Sequence, residues 1–423
     1  MSKAELFKVL DGLESRTRGL MASARDALAA AKGAVALQPW NTGAALSGDV
    51  ERALDPYFPF SEAVDVWARC FAALGISYRG ATMTLDLLDR PGKYSNGFCH
   101  WPQPAWVRAD GSWVPSRANF TSLATPAALG SGKTALVTLL HEGGHAAHFA
   151  NILQRSPLFA QERAPFSVAL AENQSMFLDS LAGDAAWLGR YARARDGAPV
   201  PWALLEEKIR ATQPYDAFTV RTMLSVPYFE RALYELPDSE VTPAALLALA
   251  ARVEGEVEGG PAPRPLLSVP HILSDESSAY YHGYVLAEMS VHQTRAHFLR
   301  AYGAIVDNPR VGADLAATYW LPGNGEPFLG LVQRLTGAPL SADAWVAELE
   351  GGLEGKVEEE RREYDAAVAA GPRFPPGSTD FDLDMTVRLV HGDEEIADSA
   401  RDGSLAAACA KYRQYVDATA DKK

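Results

Sequence analysis

The chain has 423 residues, 48% hydrophobic and 22% charged, enough apolar material for a large core in one or two domains. Acidic residues outnumber basic ones by 53 to 39, and the resulting formal charge of -14 would repel a phosphate backbone, which excludes nucleic acid as a partner. The three cysteines, Cys70, Cys99 and Cys409, form no CxxC pair, so the sequence offers no disulfide framework and no thiolate metal site, and the cytoplasm is the expected compartment.

The opening segment MSKAELFKVLDGLESRTRGL carries charges every few residues and does not read as a secretory signal. No later run approaches the roughly 20 apolar residues of a membrane span. Leu6, Val9, Leu10, Leu13, Leu20, Met21 and Leu28 recur at helical spacing and predict a helix from Ala4 to Lys32, stopped by Gly33. The stretch LQPWNTGAALSGD reads as turns, and Phe60 to Leu74 as an amphipathic helix with Ser61 as its N-cap. Ala81 to Leu88 alternates apolar with polar residues and predicts a strand closed by the Arg90-Pro91-Gly92 turn; a second strand includes Ala118, Asn119 and Phe120.

From Thr134 onward helices dominate, expected at 134–153, 165–193, 202–212, 216–235, 242–256, 276–302 and 341–370. The tail FDLDMTVRLVHGDEEIADSA reads as a strand followed by polar turns, and 404–419 as a helix, together an appended subdomain or a packing strap. The expected class is therefore mainly helical with a small sheet.

The segment Leu139-Leu140-His141-Glu142-Gly143-Gly144-His145 carries the chemistry. Residues four apart share a helix face, so His141 and His145 can present imidazole nitrogens to one ion, with Glu142 beside it; this is the HExxH spacing of zinc peptidases. Gly143 and Gly144 each cost a helix about 1 kcal/mol relative to alanine, which points to close approach by substrate or another helix. Glu172 is the candidate third ligand. Asp179, two turns further along the same helix, can accept a hydrogen bond from a ligand imidazole or stand exposed. His148 fits either a supporting role at the metal or plain packing. Gly130-Ser131-Gly132-Lys133-Thr134 ends like a phosphate-binding loop, but Ala127 stands where the earlier glycine is required, so it reads as a lead-in to the zinc helix with Lys133 solvated.

These residues resemble the thimet oligopeptidase and oligoendopeptidase F group of zinc peptidases, of the gluzincin type. Four stretches carry the likeness in order: Asp86-Leu87-Leu88-Asp89-Arg90-Pro91-Gly92-Lys93-Tyr94, Ala118-Asn119-Phe120, HEGGH with the Glu172 segment, and Trp320-Leu321-Pro322-Gly323-Asn324 through Leu335-Thr336-Gly337. The resemblance implies a helical zincin-like catalytic domain over 86–354, with a small sheet beside the zinc helix. A shortened N-terminal helical region (1–85) precedes it, and a C-terminal helix and tail (355–423) follow. It also implies one Zn2+ per chain and a His/Tyr segment that closes over the substrate, matched here by His271 and by Tyr280, Tyr281, His282 and Tyr284. Glu276 stands where thimet-type enzymes place a tyrosine.

The function expected from these features is endopeptidase hydrolysis of short peptides. The metal acidifies its water towards a pKa of about 7, and Glu142 takes the proton and passes it to the leaving amine. Tyr284, then His271, is the expected donor to the carbonyl oxygen. Tyr280, Tyr281, His282 and Asn119 would grip a peptide paired along the Ala118–Phe120 edge, although Tyr280 fits core packing equally well. A metallo-carboxypeptidase or dipeptidase on the same zinc core, and a catalytically weak peptide-binding protein, are the alternatives. The expected partners are peptides, without a membrane; the oligomeric state is open.

Overall fold

Apolar residues at three- and four-residue spacing make most of the chain helical: α1 (Lys3–Lys32), α2 (Pro39–Leu54), α3 (Ala63–Ala73), α4 (Ser131–Asn151), α5 (Val168–Ser180), α6 (Ala185–Tyr191), α7 (Trp202–Thr212), α8 (Ala217–Tyr234), α9 (Pro243–Glu258), α10 (Tyr281–Tyr302), α11 (Pro309–Leu315), α12 (Phe328–Thr336), α13 (Asp343–Leu349), α14 (Leu353–Ala370) and α15 (Leu405–Ala420). The strands are β1 (Ala81–Leu88), β2 (Phe98–Gln103), β3 (Trp106–Val107), β4 (Trp113–Val114), β5 (Arg117–Ala124), β6 (Met385–His391) and β7 (Glu394–Asp398). The computed structural model describes residues 1–93, 97–160, 167–274 and 277–420. The mainly helical class with a small mixed sheet is as expected.

Two compact units are assembled from non-contiguous segments. The first takes 1–50, 206–293 and 341–358. Its core sets Met21, Ala24 and Leu28 of α1 against Ala217 and Phe218 of α8. Buried Arg221 ties three of its helices: its guanidinium donates to Glu14 Oε1 at 2.7 Å on α1 and to the Val257 carbonyl at 2.6 Å on α9.

The second unit takes 51–205, 294–340 and 359–423 and holds the five-stranded sheet, ordered β2-β5-β1-β6-β7. β1 pairs in parallel with β5 and β6, while β2 and β7 close the two ends antiparallel. Ala118 and Phe120 of β5 are buried, and the intervening Asn119 is exposed, as strand alternation requires. The Phe120 ring lies on the side of α4: a Cβ on Gly97 would come 2.8 Å from Thr138 Cγ2 and 3.9 Å from Phe120 Cε2. The turn after β1 is fixed by Asp86, whose carboxylate meets Arg90 at 2.7 Å and Lys93 at 3.1 Å. Burial works to raise the Asp86 pKa, but these two cations outweigh it and hold the carboxyl below its usual value. Tyr94, which ends the matched motif, lies outside the described residues.

Several expected elements differ. LQPWNTGAALSGD falls largely within α2, where Pro39 occupies the first helical position and Ala45 and Leu46 pack on the α1–α8 core. Ser61 caps nothing; it lies in a 3-10 turn, Phe60–Glu62, and α3 starts at Ala63. The 165–193 helix breaks at the 3-10 turn Leu181–Gly183, and the 341–370 helix breaks between Leu349 and Leu353, where Gly351 and Gly352 stand. The 276–302 helix begins only at Tyr281, because Ala279 takes a left-handed φ of 55° that a helix cannot accommodate. Lys133 is not solvated; its Nζ donates to both Glu51 carboxylate oxygens at 2.7 Å. The tail is a packing strap: β6 joins β1 in the sheet, and the polar turns contain a second strand, β7.

Candidate metal centre

β5 leads through a short connection into α4, which carries His141, Glu142 and His145, while Glu172 stands on α5. Close helix approach explains the paired glycines. A Cβ on Gly144 would come 2.9 Å from Ser175 Cα and 3.0 Å from the Gln174 carbonyl on α5; one on Gly143 would come 2.4 Å from Trp67 Nε1 on α3. Tyr78 donates its hydroxyl to the Gly143 carbonyl at 2.8 Å.

The two helices bring one ligand atom each from His141, His145 and Glu172 within 4.8 Å of one another. Glu172 Oε2 lies 3.4 Å from His141 Nε2 and 3.5 Å from His145 Nε2. Donors held at zinc-ligand lengths in a tetrahedral arrangement stand about 3.4 Å apart, so this set fits one zinc ion. Among the described residues it is the only such group of three.

Each ligand is held from behind. His141 Nδ1 donates to Asp179 Oδ2 at 2.8 Å, leaving Nε2 to face Glu172. Ser175 Oγ lies 3.1 Å from Glu172 Oε2. The Trp101 indole on β2 meets the His145 ring edge-on at 6.2 Å and packs on Phe149 at 4.3 Å. Trp320 Nε1 donates to Gln174 Oε1 at 2.8 Å, tying the segment that bears the Trp320 motif to α5.

The electrostatics suit a cation. Burial alone would lower the His141 pKa, but Asp179 and Glu172 raise it well above its usual value; His145 is raised against burial by Glu172. Burial works to raise Glu172, and the two imidazoles outweigh it and hold its carboxylate well below the usual range. In this anionic cradle, protons are drawn onto the imidazoles wherever positive charge is short. Glu142 is buried, and burial raises its pKa over the opposing pull of His145 and His141. His148 is fully buried beside Phe149, and burial and then His145 press its pKa down to about 3; it is not one of the three grouped donors.

Two substrate-side expectations change. Ala118–Phe120 is not a sheet edge, since β5 is flanked by β1 and β2; the terminal strand is β2. Asn119, exposed between buried Ala118 and Phe120, is directed to the face opposite the one that meets α4, so the pairing expected of it is not available. The His/Tyr segment lies in the first unit. There, His271 Nε2 is 3.2 Å from the Tyr284 hydroxyl, and the rings of Tyr280, Tyr281 and Tyr284 surround His271 at 5.8, 5.1 and 5.6 Å. Tyr281 also accepts from Arg264 at 2.9 Å, and burial lowers the His282 pKa. The left-handed Ala279 at the head of this segment, a conformation costing of order 1–3 kcal/mol, donates its N–H to Glu230 at 2.7 Å. Glu276 lies outside the described residues.

Tyr78, Trp101 and the Trp320–Gln174 pair were not singled out from the sequence. A buried aromatic with one polar atom leaves no spacing signal, and only the Trp320 motif flagged its neighbourhood.

A 100-residue stretch is 32% identical to mitochondrial intermediate peptidase of Chaetomium globosum, covering 23% of this chain and 13% of that protein. Among solved structures, BsuCP matches with a TM-score of 0.54 at 16% identity over 84% of this chain and 67% of that one. PZ peptidase A with inhibitor 2 gives 0.54 at 15% over 85% and 59%. Metallocarboxypeptidase 1 of Trypanosoma cruzi gives 0.51 at 16% over 86% and 70%. The structural likenesses speak for the fold alone, and the chain spans 13% of the length of the mitochondrial intermediate peptidase and 59% of that of PZ peptidase A. The sequence model of peptidase family M3, however, matches residues 4–351, most of the chain and all of the ligand-bearing helices. The chain therefore belongs to peptidase family M3, a family of zinc metallopeptidases.

Proposed function

We propose that the chain is a zinc-dependent oligopeptidase that cuts short peptides internally. The observation that carries this reading is Glu142, a buried carboxyl whose pKa burial raises, one residue from His141 and on the same helix as His145. His141, His145 and Glu172 would hold the ion, and Asp179 and Ser175 would orient two of these ligands. A zinc ion so bound supplies Lewis acidity, which acidifies water and polarises a carbonyl.

Glu142 then accepts the proton of the attacking water and returns it to the leaving amine nitrogen. Its burial matches that task, because a raised pKa makes the carboxylate a better proton acceptor than an exposed one. Within the first unit, His271 Nε2 lies 3.2 Å from the Tyr284 hydroxyl, the group expected to donate to the carbonyl oxygen. The substrate backbone pairs along the outer edge of β2, which makes affinity depend little on side-chain identity. Free thiols at Cys70, Cys99 and Cys409 support a reducing compartment such as the cytoplasm. Among the described residues no helix is long and apolar enough to cross a membrane.

A metallo-carboxypeptidase is the second reading, favoured by the fold shared with the trypanosomal metallocarboxypeptidase. Peptides blocked at both ends separate the two: internal cleavage of them supports the oligopeptidase, and cleavage restricted to a free C-terminus supports the carboxypeptidase. In either case Glu142→Gln should keep its metal and lose at least about a hundredfold in kcat; full activity would remove Glu142 from the mechanism.

A further inference from the structure

The second unit contains a cavity of about 230 Å³ unrelated to the grouped metal donors. Four guanidinium groups stand on its wall: Arg69, Arg193, Arg195 and Arg413. Three have carboxylate partners. Arg69 Nε meets Asp65 at 2.7 Å, Arg413 Nη2 meets Glu62 at 2.6 Å, and Arg195 Nη1 meets Asp417 at 3.1 Å.

Arg193 differs. Its Nε and Nη1 donate only to backbone carbonyls, of Arg190 at 3.0 Å and Gly197 at 3.1 Å, and among the described residues no carboxylate pairs with it. Burial, and then the neighbouring Arg69, push its pKa down, which is the mark of a cation short of a counter-charge. The Nε of Arg413 is likewise buried without a hydrogen-bond partner. One uncompensated positive charge in a chain of net -14 is a local reversal of sign.

Glu62, paired with Arg413, is also on the wall, and the remainder is largely apolar, with Phe58, Pro59, Val66 and Leu136 among its residues. The volume exceeds the roughly 150 Å³ that suffices for a benzene ring. A phosphate dianion would overshoot one missing charge, whereas a monocarboxylate cancels it and matches the fork of a guanidinium. We propose that this cavity is a binding site for a monocarboxylate carrying an apolar group about the size of one ring, with its carboxylate on Arg193. Leu136 lies on α4 and Val66 on α3, the helix that meets Gly143, so the occupant would rest against the frame of the zinc helix.

The test titrates the full zinc-loaded chain with benzoate and with its neutral analogue benzamide, by calorimetry at constant ionic strength. Benzoate should bind, benzamide should bind at least tenfold more weakly, and Arg193→Gln should weaken benzoate at least tenfold with zinc content unchanged, the scale of a lost charge-assisted pair. Ala194→Trp, which puts a large side chain on the cavity wall, should also abolish binding. Should Arg193→Gln fail to fold, Ala194→Trp decides alone. Absent benzoate binding, equal binding of benzamide, or wild-type affinity in the folded variants overturns the proposal; benzoate held at the metal would bind all three chains alike.

Discussion

Gly144 of α4 lies against Ser175 of α5 so closely that a methyl group added to the glycine would stand 2.9 Å from the serine Cα. This contact sets the spacing of the ligand-bearing helices, because His145 is the next residue after Gly144 and Glu172 lies one turn before Ser175. Gly144→Ala should therefore push α5 outward despite alanine's better helix propensity. The expected cost is about 1–3 kcal/mol in stability, as for overpacked cores, together with weaker zinc retention against a chelator. A gain in stability with unchanged zinc affinity would mean that the helices are free to adjust.

Asp179 touches no donor atom that faces the ion but fixes the ring of one that does. Asp179→Asn keeps the size of the side chain and removes its charge, and should lower zinc affinity about 10–100-fold by competition with a chromophoric chelator. Asp179→Ala should do the same or more. Wild-type affinity in both variants would make the 2.8 Å contact incidental.

A pH dependence follows from the first unit. His292 is stacked on Trp345 and lies 2.8 Å from Glu348 and 3.5 Å from Glu288. Burial opposes its charge, but the two carboxylates outweigh that and raise its pKa to about 8. With an unfolded pKa of about 6.5, the group binds its proton more tightly when folded, so its contribution is complete below about 6.5 and lost as pH rises through 8. Linkage sets an upper limit of about 2 kcal/mol, and screening at the half-exposed Glu348 reduces it to about 1 kcal/mol. The Tm gap between wild type and His292→Gln should accordingly be wider at pH 6 than at pH 9. An equal gap at both pH values would assign His292 a packing role only.

Much of the candidate site was legible because helical geometry makes it local. His141 and His145 are one turn apart, and Asp179 is two turns from Glu172, so their faces follow from counting residues. Strand β1 and helix α7 were bounded to the residue for the same reason, an uninterrupted periodic pattern. The order of strands in a sheet has no such local signal. That β2 covers β5, and that residues beyond 384 return to pair with β1, are long-range choices settled by burial of the sheet. Helix α2 was hidden by Pro39 and Gly43, residues that mark turns in isolation, while its helical state is supported by Ala45 and Leu46, which pack on the α1–α8 core.

The most direct measurement is the zinc content of the purified chain and of Glu172→Ala after exhaustive dialysis, with circular dichroism as the check on folding. One zinc per wild-type chain and a loss of most of it from a folded Glu172→Ala variant is the predicted result. Equal zinc in the two chains would contradict the account, since a metal indifferent to Glu172 cannot be the one shared by His141 and His145.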